Sequence, residues 1–139
     1  MHFTTTTSSD GVLERDFTVG DVPGVLWSPS TPSDHAPLVL IAHGGGQHKR
    51  APGVLGRARR FATACGFHAA ALDAPGHGDR PRTAADEEHV AALRQARASG
   101  EPIGPIVARL HLDLAARAVP EWRAALDALQ DVTDGPVGF

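Results

Sequence analysis

Cysteine is almost absent. The single thiol, Cys65, excludes an intramolecular disulfide framework and any thiolate zinc cluster, and it suits a reducing, cytoplasmic compartment. Lysine is as scarce, occurring only at Lys49, and acidic residues outnumber basic ones by 16 to 13 for a formal net charge of -3. That balance leaves no basic character to attract nucleic acid or an anionic membrane, and Arg57, Arg59 and Arg60 read as the wet face of a helix. The polar opening stretch MHFTTTTSSDG has neither the basic segment nor the apolar core of a secretory signal. No apolar run nears the ~20 residues of a membrane span. Residues 1–10 read as a frayed, disordered tail.

What is present has the composition of one globular domain, 1–139, at 42% hydrophobic and 21% charged residues. VLERDFTV (12–19) and GVLWS (24–28) lean towards strands and flank the turn residues of GDVPG, which predicts a hairpin-like antiparallel pair. SPSTPSDHAP (28–37) reads as a surface loop. LVLIA (38–42) is uninterrupted and β-branched, as in a parallel strand covered on both faces. Val54, Ala58, Phe61 and Cys65 then recur at helical spacing, with Pro52 suited to a first turn and Gly66 to a left-handed stop. On that stripe Cys65 is expected as a buried structural thiol. FHAAALD (67–73) reads as a second buried strand. Strand, helix and strand make a βαβ unit with a right-handed crossover, so the fold class is α/β.

After residue 80 the pattern turns helical. Thr83 and Asp86 have capping-box spacing, Val90, Leu93 and Ala96 make a stripe, and Gly100 is a stop. A second helix is expected near Pro105, carrying Ile106, Leu110 and Leu114 on one side, with Pro120 interrupting it or opening a new one. Trp122, Leu126, Leu129 and Val132 form a further stripe, and Asp134-Gly135-Pro136 is a turn before Val137-Gly138-Phe139, which reads as the start of a strand.

The informative stretch is PLVLIAHGGGQHKR (37–50), where an apolar strand runs straight into His43, Gly44, Gly45 and Gly46. Glycine clusters after strands let backbone N–H groups aim at an anion. A dinucleotide fingerprint or a Walker A loop would each need a glycine at position 49, which is Lys49, so both fail on register. Two readings remain: part of an oxyanion hole, or glycines that merely permit a tight turn before the helix.

LDAPGHGDR (72–80) follows the next parallel strand, and the two motifs together resemble the α/β-hydrolase family: His-Gly after one strand, Asp-x-Pro-Gly-His-Gly after the next. Within that family GGGQHK and HGDR look most like bacterial hydrolases related to dienelactone hydrolases and small-molecule esterases. The resemblance spans roughly residues 10–139. It implies antiparallel first strands, then parallel βαβ, and serine-type acyl transfer on an ester, lactone or related carbonyl, without a cofactor. By the same resemblance, amides of Gly44, Gly45, Gly46 and Gln47 would hold the oxyanion, while His43, His48, Asp73 and His77 would shape the loops or the pocket. The helical excursion over 80–118 could then roof the pocket as a cap.

The family's nucleophile sits on a Gly-x-Ser-x-Gly turn, and neither that motif nor its cysteine variant occurs in the chain. GPVGF (135–139) stands where the family's fifth strand begins, just before that turn. The expectation is therefore a hydrolase fragment that carries one side of an oxyanion hole, lacks the catalytic triad, and is inactive by itself. It also follows that LVLIA would be an exposed strand edge through which the chain self-associates. Two other classes compete. GHGD has a partial likeness to a metallo-hydrolase ligand run, although only His77 and Asp79 match, and a truncated hydrolase-like domain could serve in binding or assembly.

Overall fold

Four successive threonines, Thr4 to Thr7, open the chain, and their branched β-carbons favour extended backbone. In the computed structural model, which describes residues 1–33 and 35–139, they lie in β1 (His2–Ser9). The expected disordered tail is thus corrected to a strand. It ladders antiparallel to β2 (Val12–Val19), from His2 opposite Thr18 to Ser9 opposite Val12. Asp10 (φ 49°) and Gly11 (φ 74°) supply the two positive dihedrals of a type I′ hairpin, the connection that suits strand twist best. A second two-residue turn led by Gly20 (φ 57°) joins β2 to β3 (Val22–Pro29). Asp34, within the loop expected over 28–37, lies outside the described residues.

The expected parallel unit follows. β4 (Leu38–Leu40) runs parallel to β5 (His68–Leu72), Leu38 opposite His68. Between them α1 (Pro52–Arg60) has Pro52 in its first turn and widens over Phe61–Cys65 into one π-helical turn. There the Gly66 N–H reaches the Phe61 carbonyl, five residues back. Gly66 closes the element at φ 70°. The wide turn shifts the buried stripe to Val54, Ala58 and Ala62, so Cys65 is exposed rather than buried.

β6 (Val137–Gly138) pairs in parallel with β4, and the sheet order is β1-β2-β3-β5-β4-β6. LVLIA is therefore not an unpaired edge: Leu38 faces Val137, and its N–H donates to the Pro136 carbonyl at 2.9 Å. The edges of the sheet are β1 and β6, the latter two exposed residues long.

α2 (Ala84–Ser99) begins in the expected capping box of Thr83 and Asp86 and stops at Gly100, φ 73°. α3 runs unbroken from Gly104 to Leu129. Pro120 neither ends it nor starts another helix, because the buried Ala125 and Leu129 beyond it hold the segment on the sheet. Consequently the excursion of 80–118 has no boundary at its end; the first half of α3 belongs to it and the second half packs in the core. Each sheet face has its own core. Trp27, Val25, Ala69 and Ala71 pack with α1 on one side, and Phe17, Leu26, Leu38 and Leu72 with α3 on the other. No helix among the described residues is long and apolar enough to cross a membrane.

Candidate active site

Two loops leave the carboxyl ends of the adjacent parallel strands β4 and β5, the position at which open α/β sheets bind ligands. The first starts at Ile41, whose N–H still donates to the Ala70 carbonyl at 2.8 Å, and then turns at the glycines. Gly44 O accepts the Gln47 N–H at 3.1 Å, and Gly46 takes φ 73°, as the third residue of a type II turn must. Gln47 returns the favour weakly, its side-chain oxygen accepting from Gly44 N–H at 3.4 Å. The amides of Gly44 and Gln47 are thereby committed inside the turn. Among the described residues, those of Gly45 and Gly46 meet no protein acceptor.

His43 ties this loop to its neighbour. Its Nε2 accepts the Ala74 N–H at 3.0 Å, which leaves the proton on Nδ1 to donate to Gly44 O at 2.9 Å. His77 stands with its ring centroid 5.4 Å from that of His43, and its Nδ1 donates to the Pro75 carbonyl at 2.9 Å. His48 is exposed and accepts the Arg50 N–H at 3.2 Å, so it caps a turn away from the other candidates.

Asp73 is fully buried and anchors both loops. Its carboxylate accepts the Lys49 N–H at 2.7 Å, the Lys49 ammonium at 2.6 Å and the Asp79 N–H at 3.0 Å. Burial alone would raise its pKa, but the Lys49 ammonium and the two backbone donors outweigh that and hold it below the usual carboxylate range. Lys49, itself 4% exposed, also pairs with Asp79. Its pKa is pulled down by burial and raised more strongly by the two carboxylates, so the net direction is up. Gly78 (φ 58°) is packed so close that a β-carbon there would overlap the Asp73 carboxylate. Arg80 continues the chain of contacts, donating to the Asp73 carbonyl at 3.2 Å and gripping Glu121 of α3 with two bonds of 2.7 Å. Asp86 pairs with Arg117 at 2.6 Å, and that guanidinium, against a smaller opposing effect of burial, holds its carboxyl well below the ordinary range.

Above the loops lies a cavity of about 440 Å³. Gly45, Gly46, Pro75 and His77 form its floor, and Val90 and Leu93 of α2 with Leu110 and Leu114 of α3 form its apolar wall. Arg82, Arg97 and His111 add polar groups. Gly45, Gly46 and His77 thus meet at one cavity, whereas His43 and Asp73 brace the loops and His48 stands apart. Among the described residues, no three His, Cys, Asp or Glu side chains are grouped to hold a metal ion.

Sequence reading gives no site role to Lys49, Arg80 or Arg117, and weighs Asp79 only in a partial likeness to a metal-ligand run. Lys49 carried a signal, being the only lysine and sitting directly behind the glycine loop. Its partner 24 residues away could be known only from the pairing of β4 with β5.

No model of a known protein family matches the chain, and no curated protein does. Solved structures do. The PEG-bound complex of a cold-adapted esterase from an Arctic intertidal metagenomic library aligns over 99% of this chain and 54% of its own, with a TM-score of 0.68 and 28% identity. The chain has an esterase-like α/β fold. The native structure of a cold-adapted esterase from such a library aligns with a TM-score of 0.59 at 22% identity, and a zinc-bound one with 0.55 at 22%. These two share the esterase-like fold over 51% and 52% of their length, again with 99% of this chain. The chain therefore spans about half the length of the esterases it matches.

Proposed function

We infer that these residues form the oxyanion side of an ester-hydrolysing site in a serine-type hydrolase. The observation that carries this reading is the pair of amides at Gly45 and Gly46, uncommitted and at the floor of the cavity while their neighbours are locked in a turn. When a nucleophile attacks an ester or lactone carbonyl, the C=O electron pair moves onto oxygen. Two N–H donors fixed in advance stabilise that charge without reorganising. The Lys49–Asp73 pair and the His43 bridge supply the fixing, since each ties the glycine loop to the loop after β5. The likeness in fold to cold-adapted esterases points the same way.

The attacking group is not among these residues, because no serine or cysteine here sits between the required glycines. The 139 residues alone are expected to be inactive, and the catalytic triad belongs to the rest of a longer hydrolase. The apolar wall of Val90, Leu93, Leu110 and Leu114 suits the acyl or alkyl part of a small ester or lactone, and GGGQHK and HGDR support a dienelactone hydrolase-like branch. The lone cysteine favours a cytoplasmic setting. The test is hydrolysis of p-nitrophenyl acetate by the natural gene product beside residues 1–139. Turnover by the former alone, stopped by a serine-directed phosphonate, is the expected result. Phosphonate-sensitive turnover by 1–139 would place the nucleophile within the chain and sink the reading.

A further inference from the structure

The opposite end of the sheet holds a second cavity, of about 550 Å³. It lies where β3 ends and β5 begins, with Arg15, Ser28 and His68 on its wall. Ser28 and His68 are 1% and 3% exposed, and Ser28 Oγ stands 2.9 Å from His68 Nδ1 and 3.4 Å from Arg15 Nη2. A guanidinium can only donate, so the serine oxygen accepts from Arg15; among the described residues Nδ1 is the one acceptor within reach of the serine's own proton, which directs that proton there. His68 is then the neutral tautomer with its proton on Nε2; burial, and secondarily the Arg15 charge, lower its pKa in keeping with that.

Arg15 is the unusual member. It lies over the Phe3 ring at 4.5 Å, forms no ion pair among the described residues, and its buried Nε has no hydrogen-bond partner. Asp131 is the one acidic residue on the wall; it is exposed and does not pair with Arg15. The wall thus offers a guanidinium whose charge no carboxylate balances: its one side-chain acceptor among the described residues is the neutral Ser28 hydroxyl, and its buried Nε has none, an arrangement that costs free energy until an anionic acceptor arrives. Much of the rest of the lining is apolar: Phe3, Leu13, Pro29 and Val132.

We propose that this cavity binds a small organic carboxylate, its charge on Arg15 beside the His68 Nε2–H and its apolar body along Phe3, Leu13, Pro29 and Val132. An inorganic anion would leave the apolar wall wet, and a neutral molecule would leave the guanidinium without a charge partner. The site lies at the amino ends of β4 and β5, so it stands independently of the esterase reading.

Hexanoate titrated into the 139-residue chain, followed by calorimetry and by the histidine ring resonances, tests the proposal. Saturable binding is expected, with the His68 signals shifted and those of His43 and His77 unmoved. Hexanol and inorganic phosphate should bind at least tenfold more weakly. Arg15→Gln should weaken hexanoate tenfold or more, and Arg15→Lys, which keeps the charge but loses the planar fork, should weaken it by a smaller factor. Absence of saturable hexanoate binding, unmoved His68 signals, equal binding of hexanol or phosphate, or full affinity in both variants would overturn it.

Discussion

Asp73 keeps a negative charge where no water reaches it, and the Lys49 ammonium at 2.6 Å is what makes that tolerable. Breaking a buried pair from one side leaves an uncompensated charge, which typically costs about 3–5 kcal/mol. Asp73→Asn should fall near the lower end, about 3 kcal/mol in urea denaturation, because the exposed Asp79 still accompanies Lys49. The pH dependence follows from the same groups. His68 has a lowered pKa, so the unfolded chain binds more protons just below pH 6.5, and stability falls as pH drops from there. Asp73 and Asp86 are also lowered, so a second loss begins below about pH 3.8 as their carboxylates protonate in the unfolded state. Urea midpoints taken at pH 7.5, 5 and 3 should therefore decline in two stages; a flat profile down to pH 4 would deny the burial of a neutral His68. At this scale the sequence showed which residues were unusual, the glycines, Asp73 and the lone lysine, and could not show which of them touch.

The elements were legible wherever local chemistry decides them. Thr83 and Asp86 specify the start of α2, Gly66 and Gly100 specify stops, and LVLIA and FHAAALD specify a parallel pair. The failures have tertiary causes. β1 was hidden because a threonine tract is ambiguous until β2 offers a ladder, although Asp10-Gly11 was the available hairpin signal. Pro120 was misjudged because its lost hydrogen bond is outweighed by the packing of Ala125 and Leu129. Pro120→Ala should accordingly stabilise the chain by about 1–3 kcal/mol, read as a higher urea midpoint. A lower midpoint would mean that the proline shapes α3 in a way the sheet needs.

Across the whole molecule, two cores share one sheet, and the strand ends of that sheet carry both cavities. Trp27 is fully buried and its indole N–H donates to Glu14 at 2.7 Å, so Trp27→Ala should cost about 3–5 kcal/mol by calorimetry. One of the sheet's two edges is β6, where Val137 is 45% exposed and is followed by Phe139 at 82%. Self-association through that edge is the expected behaviour of 1–139 at high concentration, and a lysine at Val137 should suppress it in sedimentation equilibrium. A monomer at every concentration would contradict this.

The proposed oxyanion role of the glycine loop is tested most directly by Gly45→Pro in the natural gene product, with turnover of p-nitrophenyl acetate as the readout. Proline is favoured at the second position of a type II turn, so the loop is kept while one N–H donor is deleted. The expected result is a fall in kcat of roughly 10² to 10³ with KM nearly unchanged. An unchanged kcat would show that the amide of Gly45 does not hold the developing charge.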